Sequence, residues 1–289
     1  MTLKGCYLAG DIYSEIVRLR AAGENAALAT IIEVRGSIPA YETAKLLVRA
    51  DGTMLGTIGG GCVEAEVWQA AREVLREEKS RRLVFHLNRD ASEESGLICG
   101  GTLEIFIEPV VAPPMLFCFG AGHVCRAVAT AAAAAGFGVT ICDSRPAYVT
   151  AERFPGADLR PGEYAEVMPT LAPRANAYVV IATPGHREDM NILQWACATP
   201  ARYIGMIGSK RKVISTYREL LHRGVSAEAL ERVYAPMGLE IGAIAPEEIG
   251  VAVVAEMIAV RRHAPAPHMK LAKMPALAAA EMAPVSSQR

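Results

Sequence analysis

The chain has 289 residues; 52% belong to the apolar set AVILMFWYC and 21% are charged, with 30 Lys and Arg against 31 Asp and Glu for a net charge of −1. That balance fits a soluble globular protein with a large core and carries neither the basic excess of a nucleic-acid binder nor an acidic tail. A domain takes about 100–200 residues, so two domains are expected.

One long uncharged run, residues 127–142, is alanine-rich and broken by Gly136 and Gly138, so no membrane span is expected. The first twenty residues lack the apolar centre of a signal peptide, which predicts a cytoplasmic protein with seven reduced cysteines. None of the seven forms a C-x-x-C pair, so structural zinc is not expected.

In chain order, residues 12–20 read as an amphipathic helix and "AALATIIEV" as a strand. "AKLLVRADGTMLGTI" reads as a hairpin around Asp51-Gly52, a dipeptide suited to a tight primed turn. After "GTIGGGC" a helix is predicted, with Val63, Val67, Ala70, Ala71 and Val74 on one face. "RRLVFHLN" and "TLEIFIEPV" read as strands separated by the loop "ASEESGLICGG". This α+β domain, residues 1–111, ends at the linker "APP".

Beyond the linker, four short strands, "MLFCF", "GVTICDSR", "AYVVIATPG" and "RYIGMIGS", alternate with helices, and two helices close the segment. That grammar predicts a Rossmann-type, doubly wound parallel sheet over residues 112–264. Residues 265–289 have no strong period and read as a flexible tail.

Three loops in this second domain carry candidate chemistry. In "FGAGHVC", Gly120 and Gly122 sit at a strand-to-helix turn where a backbone can approach a phosphate, with His123 opening the helix. Cys125 holds the third fingerprint position and is small enough for close helix–strand packing. Asp143 ends the next strand where an acid would bind a ribose 2′-OH, and Arg145 could instead meet a 2′-phosphate. In "TPGHRED", His186 and Asp189 are candidate acid/base groups or, alternatively, a helix cap. Gly208, Ser209, Lys210 and Arg211 open a later helix as either an anion site or a solvated basic end.

In the first domain Cys62 follows Gly59, Gly60 and Gly61 and opens a helix. A thiol there feels the positive end of the helix dipole, which favours the thiolate, and the glycines leave room for a bulky ligand. Glu64 suits the dipole but opposes the thiolate. Cys99, in "ICGGT", is the second glycine-flanked cysteine, and the pair could hold a soft metal or persulfide sulfur. Cys6, Cys118, Cys125, Cys142 and Cys197 read as small core residues.

Four stretches, "GSIP…DGTMLGTIGGGCVEAEV", "ICGGTLEIFIEP", "FGAGHVCRAVA…GFGVTICDSRPAY" and "YIGMIGSKRK…APMGLEIGAIAPEEIGVAVVAEMIA", resemble the xanthine dehydrogenase accessory factor (XdhC/CoxI) family and fall in its order. The resemblance implies a small N-terminal domain, a C-terminal Rossmann domain, and a chaperone for molybdenum hydroxylases. Such a protein would bind molybdenum cofactor, as molybdopterin or its cytosine dinucleotide form, hold it during sulfuration and insert it into an apo-enzyme. The implied partners are an apo-molybdenum hydroxylase and a cysteine desulfurase, with a homodimer left open.

By motif position Cys62 and Cys99 match the family's glycine-flanked cysteines, Gly120, Gly122 and Asp143 its dinucleotide loop, and Gly208 and Ser209 its later turn. The chain departs from the family at residues 40–43, where Ala, Tyr, Glu and Thr replace a basic and glycine-containing run, and at Pro184. Two other readings stand beside this one: an oxidoreductase using NAD or NADP with His186 as acid/base, and a dinucleotide-sensing regulator.

Overall fold

The computed structural model describes residues 11–38, 41–87 and 100–266. Cys6, Cys99 and the tail from residue 267 lie outside the described residues.

The first half is built on five antiparallel strands. Helix α1 (Ile12–Ala21) precedes β1 (Ala26–Ser37), β2 (Lys45–Arg49) and β3 (Met54–Gly56); α2 (Gly61–Glu77) then leads to β4 (Arg81–Leu87) and β5 (Gly100–Val110). The sheet order is β3-β2-β1-β5-β4, so the last strand inserts between the first and the fourth. The β1–β5 register runs from Ala26 opposite Val110 to Ser37 opposite Gly100, with a bulge between Ile31 and Glu33.

Strand alternation sends Ala27, Ala29 and Ile31 to one face. There they meet Val63, Val67, Ala70, Ala71 and Val74 of α2, the stripe expected from the helical spacing. Ala26 and Leu28 go to the other face and meet Leu19 of α1. The Asp11 carboxylate caps α1 by accepting from the Ser14 amide at 2.9 Å.

The β2–β3 connection differs from the primed turn expected. Gly52 N–H donates to the Arg49 carbonyl at 2.9 Å, which makes Ala50 and Asp51 the central residues of the turn. Only Gly52 has a positive φ, at 84°. This is a longer hairpin loop with a left-handed glycine at its exit. Asp51 stabilises it by accepting from the Thr53 amide at 2.9 Å, an interaction local enough to override the dipeptide's preference.

The second half is a six-stranded, wholly parallel sheet in the order β11-β10-β9-β6-β7-β8. Its strands are β6 (Met115–Phe119), β7 (Gly138–Asp143), β8 (Asp158–Pro161), β9 (Ala177–Ile181), β10 (Tyr203–Met206) and β11 (Val233–Tyr234). Its helices are α3 (His123–Ala134), α4 (Tyr164–Val167), α5 (His186–Cys197), α6 (Lys210–His222), α7 (Ala227–Glu231) and α8 (Pro246–Arg262). Strand order reverses between β6 and β9, the topological switch point of a Rossmann sheet. Helices α3 and α8 cover one face and α5 and α6 the other, each over its own apolar core.

Strands β8 and β11 are additions to the four strands expected. They lie at the two edges, and β8 is largely exposed, so neither needs the apolar run by which a buried strand is recognised. Among the described residues no helix is long and apolar enough to cross a membrane.

The two halves meet at the amino ends of the parallel strands. Glu78, just past α2, pairs with Arg202, just before β10. Glu24 pairs with Arg174 at 3.1 Å, and Asn25 accepts from the Ala112 amide at 2.9 Å.

Candidate functional site

A Rossmann sheet takes its ligands outside the carboxyl ends of its strands, the crevice side, and Gly120 shapes the first loop there. Its φ is 117°, and its amide donates to the Cys142 carbonyl at 2.7 Å. A Cβ there would stand 2.4 Å from the Ala182 carbonyl oxygen and 3.2 Å from Cys125 Sγ. Glycine is thus required for the β6 turn to lie against the end of β9. Cys125, wholly buried, fills the space under the loop with a small side chain, as the fingerprint position demands.

Gly122 is different in kind. It is the N-cap of α3 with an extended backbone, φ −75°, and a Cβ there would meet nothing within 4 Å. Its surface is the opening through which a phosphate could reach the amino end of α3. His123, the first residue of that helix, is exposed beside it.

Asp143 lies where expected, at the end of β7, but its carboxylate faces inward and is fully buried. It accepts from the Ala121 amide at 2.6 Å and from Arg145 three times: the amide at 2.9 Å, Nε at 2.9 Å and Nη2 at 2.8 Å. Burial opposes ionisation, yet the hydrogen bonds and charge of Arg145 and the two amides outweigh it and hold the carboxyl below its ordinary value. Arg145, raised above its ordinary value chiefly by the same hydrogen bonds, stacks over the Tyr148 ring at 4.3 Å. Arg153 completes the brace by donating to the Ala121 carbonyl at 2.9 Å. Asp143 and Arg145, read from sequence as alternative ligand contacts, are paired with each other, and Asp143 also holds the Ala121 amide of the glycine loop.

A second brace joins the next two loops. Asp189 is fully buried and accepts from the Thr183 amide at 3.0 Å and hydroxyl at 2.7 Å, and it pairs with Lys212. His186 stands exposed at the start of α5, so the two residues of this candidate pair occupy different environments. Ser209 is the N-cap of α6 and accepts from the Lys212 amide at 3.3 Å. The Lys212 stem passes over Gly208, where a Cβ would stand 3.0 Å from its Cδ. Lys210 and Arg211 are exposed at the helix start. Lys212 and Thr183 are the residues that sequence reasoning missed.

The thiol loop lies in the other half of the molecule. Gly59, Gly60 and Gly61 all have left-handed backbones, with φ of 115°, 78° and 70°. Cys62 follows as the second residue of α2, exposed. Glu64, one turn into the helix, is buried and turned back under the loop. It accepts from the Thr57 hydroxyl at 2.8 Å, the Ile58 amide at 3.3 Å and the Gly60 amide at 3.2 Å. The carboxylate expected to repel a thiolate is therefore the residue that shapes the loop carrying the thiol. A Cβ on Gly60 would meet nothing within 4 Å, so the loop has open space above it.

By the antiparallel register, β3 ends at Gly56 level with Ala29 and Ile107, while β5 begins at Gly100 opposite Ser37, farther along the sheet. Cys99 lies outside the described residues, and among those described no group of His, Cys, Asp or Glu is arranged to hold a metal ion.

Each of the two loops stands off from the contact between the two halves by the length of one element. From Cys62 to Glu78 the helix spans about 24 Å. From Met115 to Gly120 the strand spans about 17 Å away from the same contact.

Both halves have counterparts among known proteins. Residues 116–257 match the XdhC Rossmann domain, and residues 19–86 match the XdhC and CoxI family. Over 88% of this chain, an uncharacterized protein of Escherichia coli, YqeB, is 35% identical, and the chain spans 47% of that relative's length. A probable xanthine dehydrogenase subunit of Bacillus subtilis is 26% identical over 88% of this chain and 98% of its own. The molybdenum cofactor insertion chaperone PaoD of E. coli is 24% identical over 84% of this chain and 85% of its own. With both halves matched in order, the chain belongs to the XdhC and CoxI family.

Proposed function

We propose that this protein takes part in maturing molybdenum hydroxylases: it binds molybdenum cofactor, protects it while a cysteine desulfurase supplies its sulfur ligand, and inserts it into an apo-enzyme in the cytoplasm. The observation that carries this reading is the exposed Cys62 thiol, held at a helix N-terminus by three left-handed glycines that the buried Glu64 organises. Such a loop offers a soft sulfur donor with open space above it, suited to a bulky cargo. Likeness to a protein named as a molybdenum cofactor insertion chaperone supports the cargo.

The crevice adds a place for the phosphate of molybdopterin, or of its cytosine dinucleotide form, at the opening above Gly122. NAD or NADP fits this crevice less well, because the carboxylate that would meet a ribose hydroxyl is already bound to Arg145 and Ala121. The test is retention of purified molybdenum cofactor after gel filtration. The wild-type protein is expected to retain it, and a Cys62→Ala, Cys99→Ala variant to lose most of it. Undiminished retention by that variant would remove the thiols from the reading.

A further inference from the structure

We propose that a cleft between the two halves binds a phosphate-bearing small molecule that bridges them. The site is separate from the proposed function: it uses neither Cys62 nor the glycine loop at Gly120 and Gly122.

The cleft opens where two helices end together. Helix α2 of the first half runs out at Glu77, and α8 of the second runs out at Arg262. Their last residues and caps enclose about 510 Å³, a volume that suits a small-molecule ligand. The wall carries Arg76, Lys79, Arg261 and Arg262 against Glu77 and Glu78. Both carboxylates are already engaged: Glu78 pairs with Arg202, and Glu77 pairs with Arg76 and Arg81 at 3.3 Å each. Among the described residues no carboxylate lies within ion-pair distance of Lys79, Arg261 or Arg262. The cleft thus holds a surplus of positive charge supplied by both halves.

Cations in the last turn of a helix complement its dipole, which accounts for Arg76, Arg261 and Arg262 taken singly. It does not account for a stranded donor. Arg261 Nε is buried and makes no hydrogen bond. The guanidinium lies over the Phe137 ring at 4.9 Å, and Phe137 meets Tyr178 edge to face at 5.0 Å. The hydroxyl of Tyr178, a residue only 1% exposed, has no hydrogen-bond partner either. A buried polar group without a partner is costly, and Arg261 Nε can only donate, so the missing group is an acceptor. The caps add a second feature. Glu78 and His263 each have a φ of 51°, where a helix usually ends on glycine. Glu78 uses its side chain to reach Arg202, and His263 lines the cleft.

An acceptor-rich group of multiple charge answers both the stranded donor and the unpaired cations. Phosphate does so with several oxygens on one centre. The volume exceeds that of a single phosphate, so the ligand is a phosphate ester or a pyrophosphate. Bound there, it ties α2 to α8 beside the Glu78–Arg202 pair.

Pyrophosphate is the probe, with binding followed by calorimetry and its place by amide hydrogen exchange. The full chain is used as wild type and as Gly122→Asp, whose carboxylate repels anions from the opening of the glycine loop while the added side-chain carbon meets no neighbour. Both are expected to bind, more weakly as salt is raised, and to gain protection at the ends of α2 and α8. In the Gly122→Asp chain, Lys79→Gln in one half and Arg262→Gln in the other are each expected to weaken binding about three- to tenfold. Lys79 and Arg262 are exposed, so these variants fold. Arg261→Lys keeps the charge but removes Nε, and a similar loss is expected.

No binding by either chain would mean that water alone satisfies Arg261, and would overturn the site. Binding by wild type alone, binding indifferent to the three cleft variants, or protection confined to other segments would place the anion elsewhere and overturn it too. Citrate, a polycarboxylate of comparable charge, is run in parallel, and tighter binding of citrate than of pyrophosphate would overturn phosphate as the ligand class.

Discussion

The Asp143 carboxylate and the Arg145 guanidinium are bound to each other, at 2.9 Å through Nε and 2.8 Å through Nη2, directly beneath the glycine loop of the crevice. The pair also holds the Ala121 amide, so it sets the shape of the loop whatever ligand the loop meets. Asp143→Asn is expected to lower stability by about 2 kcal/mol, since a buried acceptor of several hydrogen bonds becomes half donor. Urea unfolding of the two proteins measures it. A loss below about 0.5 kcal/mol would mean the loop keeps its shape without the ion pair.

Gly120 and Gly122 separate fold from ligand. Gly120→Ala places a methyl 2.4 Å from a backbone oxygen at a φ of 117°, and a loss of roughly 2–4 kcal/mol is expected. Gly122→Ala meets nothing and is expected to change the stability to unfolding by less than about 0.5 kcal/mol. Parallel denaturation curves compare the two, and equal effects would mean that the loop packs differently from the arrangement described.

Glu64→Ala removes the acceptor for the Thr57 hydroxyl and for the Ile58 and Gly60 amides. A cost of about 2 kcal/mol is expected, together with weaker cofactor retention although Cys62 is untouched. Retention equal to wild type, at lowered stability, would confine Glu64 to the fold.

Asp189 and Lys212 tie α5 to α6 across the crevice. A double-mutant cycle with Asp189→Asn and Lys212→Met is expected to give a coupling energy of about 1–3 kcal/mol. Additive effects would show that the two loops are positioned independently.

Acid should loosen the first half through Glu15. Hydrogen bonds from Arg18 and Arg49 hold its carboxyl at about 2, below the ordinary 4.5. A depressed acid contributes stability that is complete above its unfolded value and is lost as pH falls toward the folded value. The loss therefore falls between about pH 4.5 and pH 2. Glu15→Gln is expected to flatten that part of the stability profile, and an unchanged slope would assign the acid sensitivity to other carboxylates.

Much of the architecture was legible in the chain because its signals are local. The apolar stripe of α2, the strand–glycine–helix step at Gly120 and the acid at the end of β7 are each read within a few residues. The thiol loop was legible for the same reason, since three glycines before a cysteine and a helical stripe are contiguous. What the sequence hid is pairing. Asp143 and Arg145 are two residues apart, yet only the inward turn of β7 makes them partners instead of competing ligand contacts. Asp189 and Lys212 belong to different strand–helix units, so their contact depends on β9 and β10 lying side by side. Edge strands β8 and β11 were invisible because a strand paired on one side and open to water needs no apolar run.

The central place of β5 has a consequence for synthesis. Strands β1 and β4 both pair with it, and it is the last of the five to leave the ribosome. Until residue 110 has emerged, β1 and β4 present long unpaired edges, and such edges pair readily with other chains. A product terminated before residue 100 keeps those edges permanently and should collect in inclusion bodies. One extended through residue 114 closes the sheet and should remain in solution, which makes β5 the segment that decides whether the nascent first half is a folded domain or an aggregation seed.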